Sequence, residues 1–359
     1  MMSSLDTRIT FFGGAVNPAV IEGMKKLAAA GYEIAVCECD PREYNQLRDL
    51  GVEKIPNRVE AMSDCQVVIT SLSTSAAVEE LYLGDNGLLE LADQGTCFMD
   101  VSFSSPQLAR EIEAMAAISD IQAIDAPVLC LGEKEEAVMF VGGEQDARDQ
   151  LAPLFPYLAA TVIPEKEAGE GQFAAMLAII SLAGSLMGTV EALSLAHISG
   201  FPEHSAVGVL ATTAGGSRAL VDYGPQILKH DYKGSFRVSS FLEALGVALE
   251  AADKLEVTLP MVETAYQLYD LLCVVGGESL NIQALALLYE DEQTCADYGL
   301  DWSLADGQDG QMDDDDYGYD GYEGGPLGGL GNPSQGGGQR PRGSSGDGLQ
   351  MPGSFFSKN

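Results

Sequence analysis

Basic residues are scarce. Against 54 aspartates and glutamates, the 359-residue chain sets only 19 lysines and arginines, for a formal net charge of −35. Nucleic acid is bound largely through Lys and Arg on phosphates, so this balance argues against it as a partner. The glycine-rich end is not the main source: after Leu304 nine acids against three bases leave −6. The body of the protein is therefore acidic itself, as a solvated surface in a salty cytoplasm would be. Cysteines number seven, an odd count with no C-x-x-C pair. That spacing offers neither a disulfide framework nor a zinc site and suits buried, reduced thiols of a cytoplasmic protein. No uninterrupted apolar run reaches the roughly 18 residues of a bilayer span. The opening MMSSLDTRITFF lacks the basic and apolar stretches of a secretory signal. No membrane partner and no metal site are expected.

What is present reads as strands alternating with helices, the pattern of a parallel sheet covered on both faces. The apolar runs 9–12, 33–38, 66–70, 96–101, 121–126 and 137–141 predict strands of one sheet. Helical spacing marks 18–30, 41–50, 75–83, 106–115 and 145–158. Gly31 is placed to end the first helix in a left-handed conformation. From 168 the pattern changes to a long apolar helix reaching 199, of a length and low charge that suggest burial between two bodies. Further helices are expected at 204–213, 236–254, 261–275 and 282–289. The expected organisation is a Rossmann-type domain over 1–166, an all-helical domain over 167–292, and an acidic Gly-rich tail over 293–359. From Asp306 the tail is too poor in large aliphatics to offset its ordering entropy, which predicts disorder. Its acids (Asp309, Asp313, Asp315, Asp320 and Glu323) miss the spacing of an EF-hand loop. A solubilising segment is the plainer reading.

Several segments, in order, resemble the β-hydroxyacid dehydrogenases, the family of 3-hydroxyisobutyrate dehydrogenase. Ala30-Gly31-Tyr-Glu-Ile-Ala-Val36 is similar to their A-G-H-x-V-x-V, and Asp100-Val-Ser102 with Pro106 to D-x-S-T-x-x-P. Asp125-Ala-Pro-Val128 and Phe140-Val-Gly-Gly143 fit D-A-P-V-S-G-G with its later V-G-G. Ser217, Leu220 and Tyr223-Gly-Pro225 fit S-W-A-L-x-x-x-G-P. Gly169-Glu-Gly171-Gln172 opens the interdomain helix as G-x-G-x-x-x-K-x-x-N-N does. The resemblance spans about residues 8–291. It implies a doubly wound sheet joined by a long helix to an all-helical domain, assembled as a homo-oligomer. It also implies NAD or NADP as cofactor and a small-molecule ligand in the interdomain cleft.

Against that family the catalytic half is altered. Ala175 stands where the proton-relaying lysine should be, and Ala178 and Ile179 replace the two asparagines. Phe103 takes the place of the D-x-S-T threonine, and Leu129-Cys130-Leu131 that of the S-G-G loop. Glu243-Ala244 replaces a lysine–aspartate pair. Oxidising an alcohol needs a base within about 3 Å of the hydroxyl. No catalytic residue is assigned, and carboxylate hydroxyacids are poor substrates on this reading. Tyr223, Tyr232, His230 and Arg237 are the side chains that would rescue chemistry if they enter the cleft, with Lys229 and Lys233 nearby. A cleft plugged by Phe103, Leu129 and Ile179 would instead mark a scaffold. Cys130 lacks a placed His partner and reads as a buried thiol.

The cofactor loop Gly13-Gly14-Ala15-Val-Asn17-Pro18 departs from G-x-G-x-x-G at its second and third glycines. Ala15 adds a methyl near the phosphates. Pro18 suits a first helical turn capped by Asn17 but removes an amide from the anion site, so a weakened dinucleotide site is expected. Glu38 and Asp40 follow the second strand, where an acid bonds the adenosine ribose and disfavours a 2′-phosphate. With Ser71, Leu72 and Ser102 these residues form the expected cofactor-binding set.

Overall fold

The computed structural model describes residues 7–13, 17–130 and 136–305, and these belong to one compact body. Six strands form its sheet: β1 Arg8–Phe12, β2 Glu33–Cys37, β3 Glu53–Ile55, β4 Val67–Thr70, β5 Cys97–Asp100 and β6 Gln122–Asp125. Their spatial order is β3-β2-β1-β4-β5-β6, with every pairing parallel. The order reverses between β1 and β4, and ligands of such sheets bind in the crevice beyond the carboxyl ends at that point. All four residues of β4, Val-Val-Ile-Thr, are buried, as a strand covered on both faces must be. The first helix, Pro18–Ala29, opens on a proline whose fixed φ suits the first turn, and Gly31 ends the connection at φ +92.

The stretch 137–141 is a strand, but not of this sheet. β7 Val128–Cys130, β8 Ala137–Val141 and β9 Thr161–Pro164 form a separate three-stranded sheet, with β7 and β8 antiparallel. A single bridge, Asp125 to Gly142, links β8 to β6. β7 has three residues and β9 is largely exposed, so neither carries a readable alternation. The expected helix 145–158 is broken into Gln145–Leu151, a 3₁₀ turn at Ala152–Leu154, and Phe155–Leu158. Pro153 and Pro156 each remove an amide donor there.

The interdomain helix, Glu170–Ile198, runs 29 residues. An 18-residue window of it reaches a mean hydropathy of 2.0, so by length and composition it could cross a bilayer even though Ser181, Gly184 and Ser185 interrupt the apolar run. It is apolar on most sides because it is a core post: 44% of that window is buried against protein. Around it pack Glu203–Thr212, Arg218–Ile227, Val238–Lys254, Pro260–Val274 and the 3₁₀ segment Ile282–Tyr289. The helix Arg218–Ile227, not expected from the sequence, has Pro225 inside it, and Ser217 Oγ caps it by accepting the Leu220 amide at 3.1 Å.

The folded body passes the expected limit at 292. Glu292–Asp297 is a helix whose Cys295 is fully buried, and Leu300 is buried with it against the helical core. The Asp301 amide donates to the Val275 carbonyl at 2.8 Å. The helix spans only six residues, which is why no period announces it. The tail from 306, with its acidic run, lies outside the described residues.

Candidate functional site

The carboxyl edge of β1 and β4 builds the expected cofactor wall. Gly13 follows β1 at φ +91, and its amide donates to the Cys37 carbonyl at 3.2 Å. A Cβ there would strike the Ser71 carbonyl and lie 2.6 Å from Leu72 Cδ2, so only glycine fits. Ser102 Oγ accepts the Leu72 amide at 2.9 Å, which ties the D-x-S segment to the same edge. Gly13, Ser71, Leu72 and Ser102 are thus brought together. Gly14 and Ala15 lie outside the described residues.

Asn17 is spent on structure rather than offered to a phosphate. Its Oδ1 accepts the Ala19 amide at 2.9 Å, and its Nδ2 donates to the Val128 carbonyl at 2.6 Å. The Cys130 thiol reaches the same Oδ1 at 3.2 Å. Pro18 has no N–H, and the Val20 amide closes on the Asn17 carbonyl at 3.0 Å. The first-turn donors of this helix are therefore partnered internally, which weakens the anion site. Asp40 is also used locally: its Oδ1 caps the helix Pro41–Leu47 through the Arg42 amide at 2.6 Å. Glu38, at φ +55 beyond β2, pairs with Arg58. The residues fit a dinucleotide at the glycine turn and the ribose end better than at the pyrophosphate.

The interdomain helix motif divides into a docking half and a chemical half. Asp125, at the end of β6, takes the Gly169 amide on Oδ1 at 2.7 Å and the Gln172 amide on Oδ2 at 2.8 Å. Burial pushes the Asp125 carboxyl up, and those amides hold it down. Gln172 Nε2 donates to the Ser102 carbonyl, and its Oε1 accepts the Ser104 amide, both at 2.9 Å. A Cβ on Gly171 would sit 2.6 Å from the Phe140 carbonyl, and one on Gly169, at φ +81, would strike that of Pro106. These retained residues clamp the helix onto the sheet. Their roles were missed from the sequence, although D-A-P-V and G-x-G-Q were the signal.

The other half lies one turn further along the helix. Ala175 and Ile179 are each 0% exposed, packed in the helical core with Leu129 and Phe140. The cleft itself is lined by Ser71, Ser102, Phe103, Leu129, Phe236 and Glu243, among others. Ser235 and Phe236 were not singled out by sequence. Ile179 lies behind this surface rather than on it. Glu243 is the only lining residue with a formal charge among those described. Burial and nearby Glu250 push its carboxyl up, while a hydrogen bond from the Ser75 amide opposes them. Free space amounts to about 60 Å³, far below the roughly 300–1,000 Å³ of small-molecule pockets.

None of the rescue candidates lines the cleft among the described residues. Tyr223 and Tyr232 are buried in the helical core, and burial pushes the Tyr232 phenol well up. The His230 carbonyl accepts the Tyr298 hydroxyl at 2.9 Å, with its ring 3.4 Å from Tyr232 Oη. Arg237 stands at the N-cap position of the helix Val238–Lys254 without a side-chain cap bond and its backbone bridges to Asn281, while Lys229 and Lys233 are exposed.

Comparison with known proteins agrees with this architecture. The NAD-binding domain of 6-phosphogluconate dehydrogenase matches residues 23–166. The NAD-binding domain of NADP-dependent 3-hydroxyisobutyrate dehydrogenase matches residues 169–289. A probable 3-hydroxyisobutyrate dehydrogenase-like 1 of Arabidopsis thaliana is 33% identical over 291 residues, covering 79% of this chain and 86% of that one. The chain belongs to the 3-hydroxyisobutyrate dehydrogenase-like family. Another relative, the NAD-dependent L-serine dehydrogenase of Pseudomonas aeruginosa, is 30% identical over 277 residues, 74% of this chain and 93% of its own. The solved 3-hydroxyisobutyrate dehydrogenase of Mycobacterium tuberculosis, with L-serine, shares the fold at a TM-score of 0.70 and 24% identity. The match covers 79% of this chain and 99% of that one. Membership makes NAD or NADP the cofactor. When bound, it supplies a hydride acceptor or donor at the cleft.

Proposed function

We propose that this member of the family binds NAD or NADP without running its hydroxyacid oxidation, and serves as a scaffold, sensor or regulator. Ala175 carries the reading: it is 0% exposed at the relay position. A positioned base contributes roughly 10²–10⁴-fold to such a reaction, and a methyl group cannot act as one. Phe103 and Leu129 on the cleft wall support the same conclusion. The chain is further proposed to act as a homo-oligomer, a reading supported by Phe173, Leu177, Leu195 and Ile198, exposed on the interdomain helix.

The test pairs calorimetric titration of NADH and NADPH with spectrophotometric assays on 3-hydroxyisobutyrate and L-serine. Binding without turnover is expected, and Ala175→Lys alone stays inactive because the substrate loop at Leu129-Cys130 is also altered. Brisk oxidation by the native chain, or family-like rates from that one change, would sink the proposal.

A second reading is an oxidoreductase using a lysine-free mechanism on a non-carboxylate small molecule. Glu243 favours it, since its carboxylate repels an anionic substrate and, with Phe103 and Phe236 also lining the cleft, suits an organic cation. NADH-dependent turnover of a cyclic imine, with none of hydroxyacids, would decide for it.

A further inference from the structure

Two opposite cofactor determinants face each other at the tip of β2. In dinucleotide sites of this architecture an acid after the second strand takes the ribose 2′-hydroxyl, whereas an arginine nearby takes a 2′-phosphate. Here both are present, locked together. Arg58 Nε donates to Glu38 Oε1 at 2.7 Å, and its Nη2 to Oε2 at 3.3 Å. Such a two-point fork is directional as well as charged. The Arg58 side chain is 23% exposed and that of Glu38 42%, so the pair is partly shielded from water. Glu38 directly follows Cys37, whose carbonyl accepts the Gly13 amide, so the pair stands beside the glycine turn. Glu80 is the other acid acting on Arg58.

We propose that Arg58 is a dormant 2′-phosphate group, and that Glu38, by holding it, sets this chain's preference for NAD over NADP. The inference rests on dinucleotide binding at the sheet edge. A paired carboxylate still has lone pairs free for ribose hydroxyls. A 2′-phosphate, in contrast, must pull the guanidinium away and leave Glu38 unpaired beside a second anion. Removing the Glu38 charge while keeping its shape therefore releases Arg58 to the phosphate.

Calorimetric titration of the full chain with NADH, NADPH and adenosine 2′,5′-bisphosphate tests this, since the bisphosphate carries the ribose end and no nicotinamide. The native chain is expected to bind NADH more tightly than NADPH. Glu38→Gln should strengthen binding of NADPH and the bisphosphate by about tenfold or more, the scale of one hydrogen bond to a charged group. In Glu38→Gln with Arg58→Gln that gain should vanish. A gain that survives loss of Arg58, or no gain while NADH still binds, overturns the proposal and leaves dinucleotide binding intact. Failure of every variant and the native chain to bind any of the three, with circular dichroism showing them folded, removes both.

Discussion

Asp100 is a carboxylate buried at the carboxyl end of β5. It sits wholly inside the sheet edge, taking the Thr70 hydroxyl at 2.8 Å and the Ser102 amide at 3.1 Å. Burial nevertheless outweighs those bonds and pushes its carboxyl up to about 6. With the folded value above an unfolded one near 3.9, the native state holds the proton more tightly. The group's contribution to stability is then full below about pH 4 and is lost as pH rises through about 6. The difference is at most about 3 kcal/mol. Urea unfolding at pH 5 and 7.5 should show the native chain losing stability over that window and Asp100→Asn losing less of it, because Asn keeps the accepting oxygen without the charge. Parallel losses would refute the assignment. The motif D-x-S was legible in the sequence, but this titration was not, since only folding encloses the carboxyl. The same holds for Asn17 and Asp40, whose types suited cofactor contact and whose atoms the helix starts consumed.

Among elements, the long helix was the most legible and the short pieces the least. Its apolar stretch announced it from 168, close to the observed start at Glu170. β3, β7 and the helix Glu292–Asp297 went unread because three to six residues carry no period. That last helix and the turn after it nonetheless bury Cys295 and Leu300 and anchor Asp301 to Val275. Fully burying one Leu-sized side chain contributes about 1.5–3 kcal/mol. A chain ending after Ala305 should therefore melt as the full chain does. One ending after Asp291 should lose about 3 kcal/mol or more in chemical denaturation. Equal stability of the two truncations would show that the segment merely lies against the core.

For the whole molecule, charge and the exposed helix stripe oppose each other. A net charge of −35 makes like molecules repel, whereas Leu177 at 54% exposed, with its apolar neighbours, favours association. Salt screens the first and spares the second: the Debye length falls from about 30 Å at 0.01 M to about 8 Å at 0.15 M. Light scattering should give a mass above the 37.9 kDa of one chain, rising with salt, and Leu177→Glu should bring it down to a monomer. A single-chain mass at every salt concentration would exclude assembly through this face. By itself the sequence determined the family, the two-part architecture and the alanine at position 175, because each is written in residue type and spacing along the chain. Only the tertiary structure decided which residues clamp the interdomain helix, that none of the named rescue candidates lines the cleft among the described residues, and that Arg58 holds Glu38. Those outcomes depend on residues far apart in the chain meeting in space, where burial and hydrogen bonding, not spacing, determine what a side chain can still do.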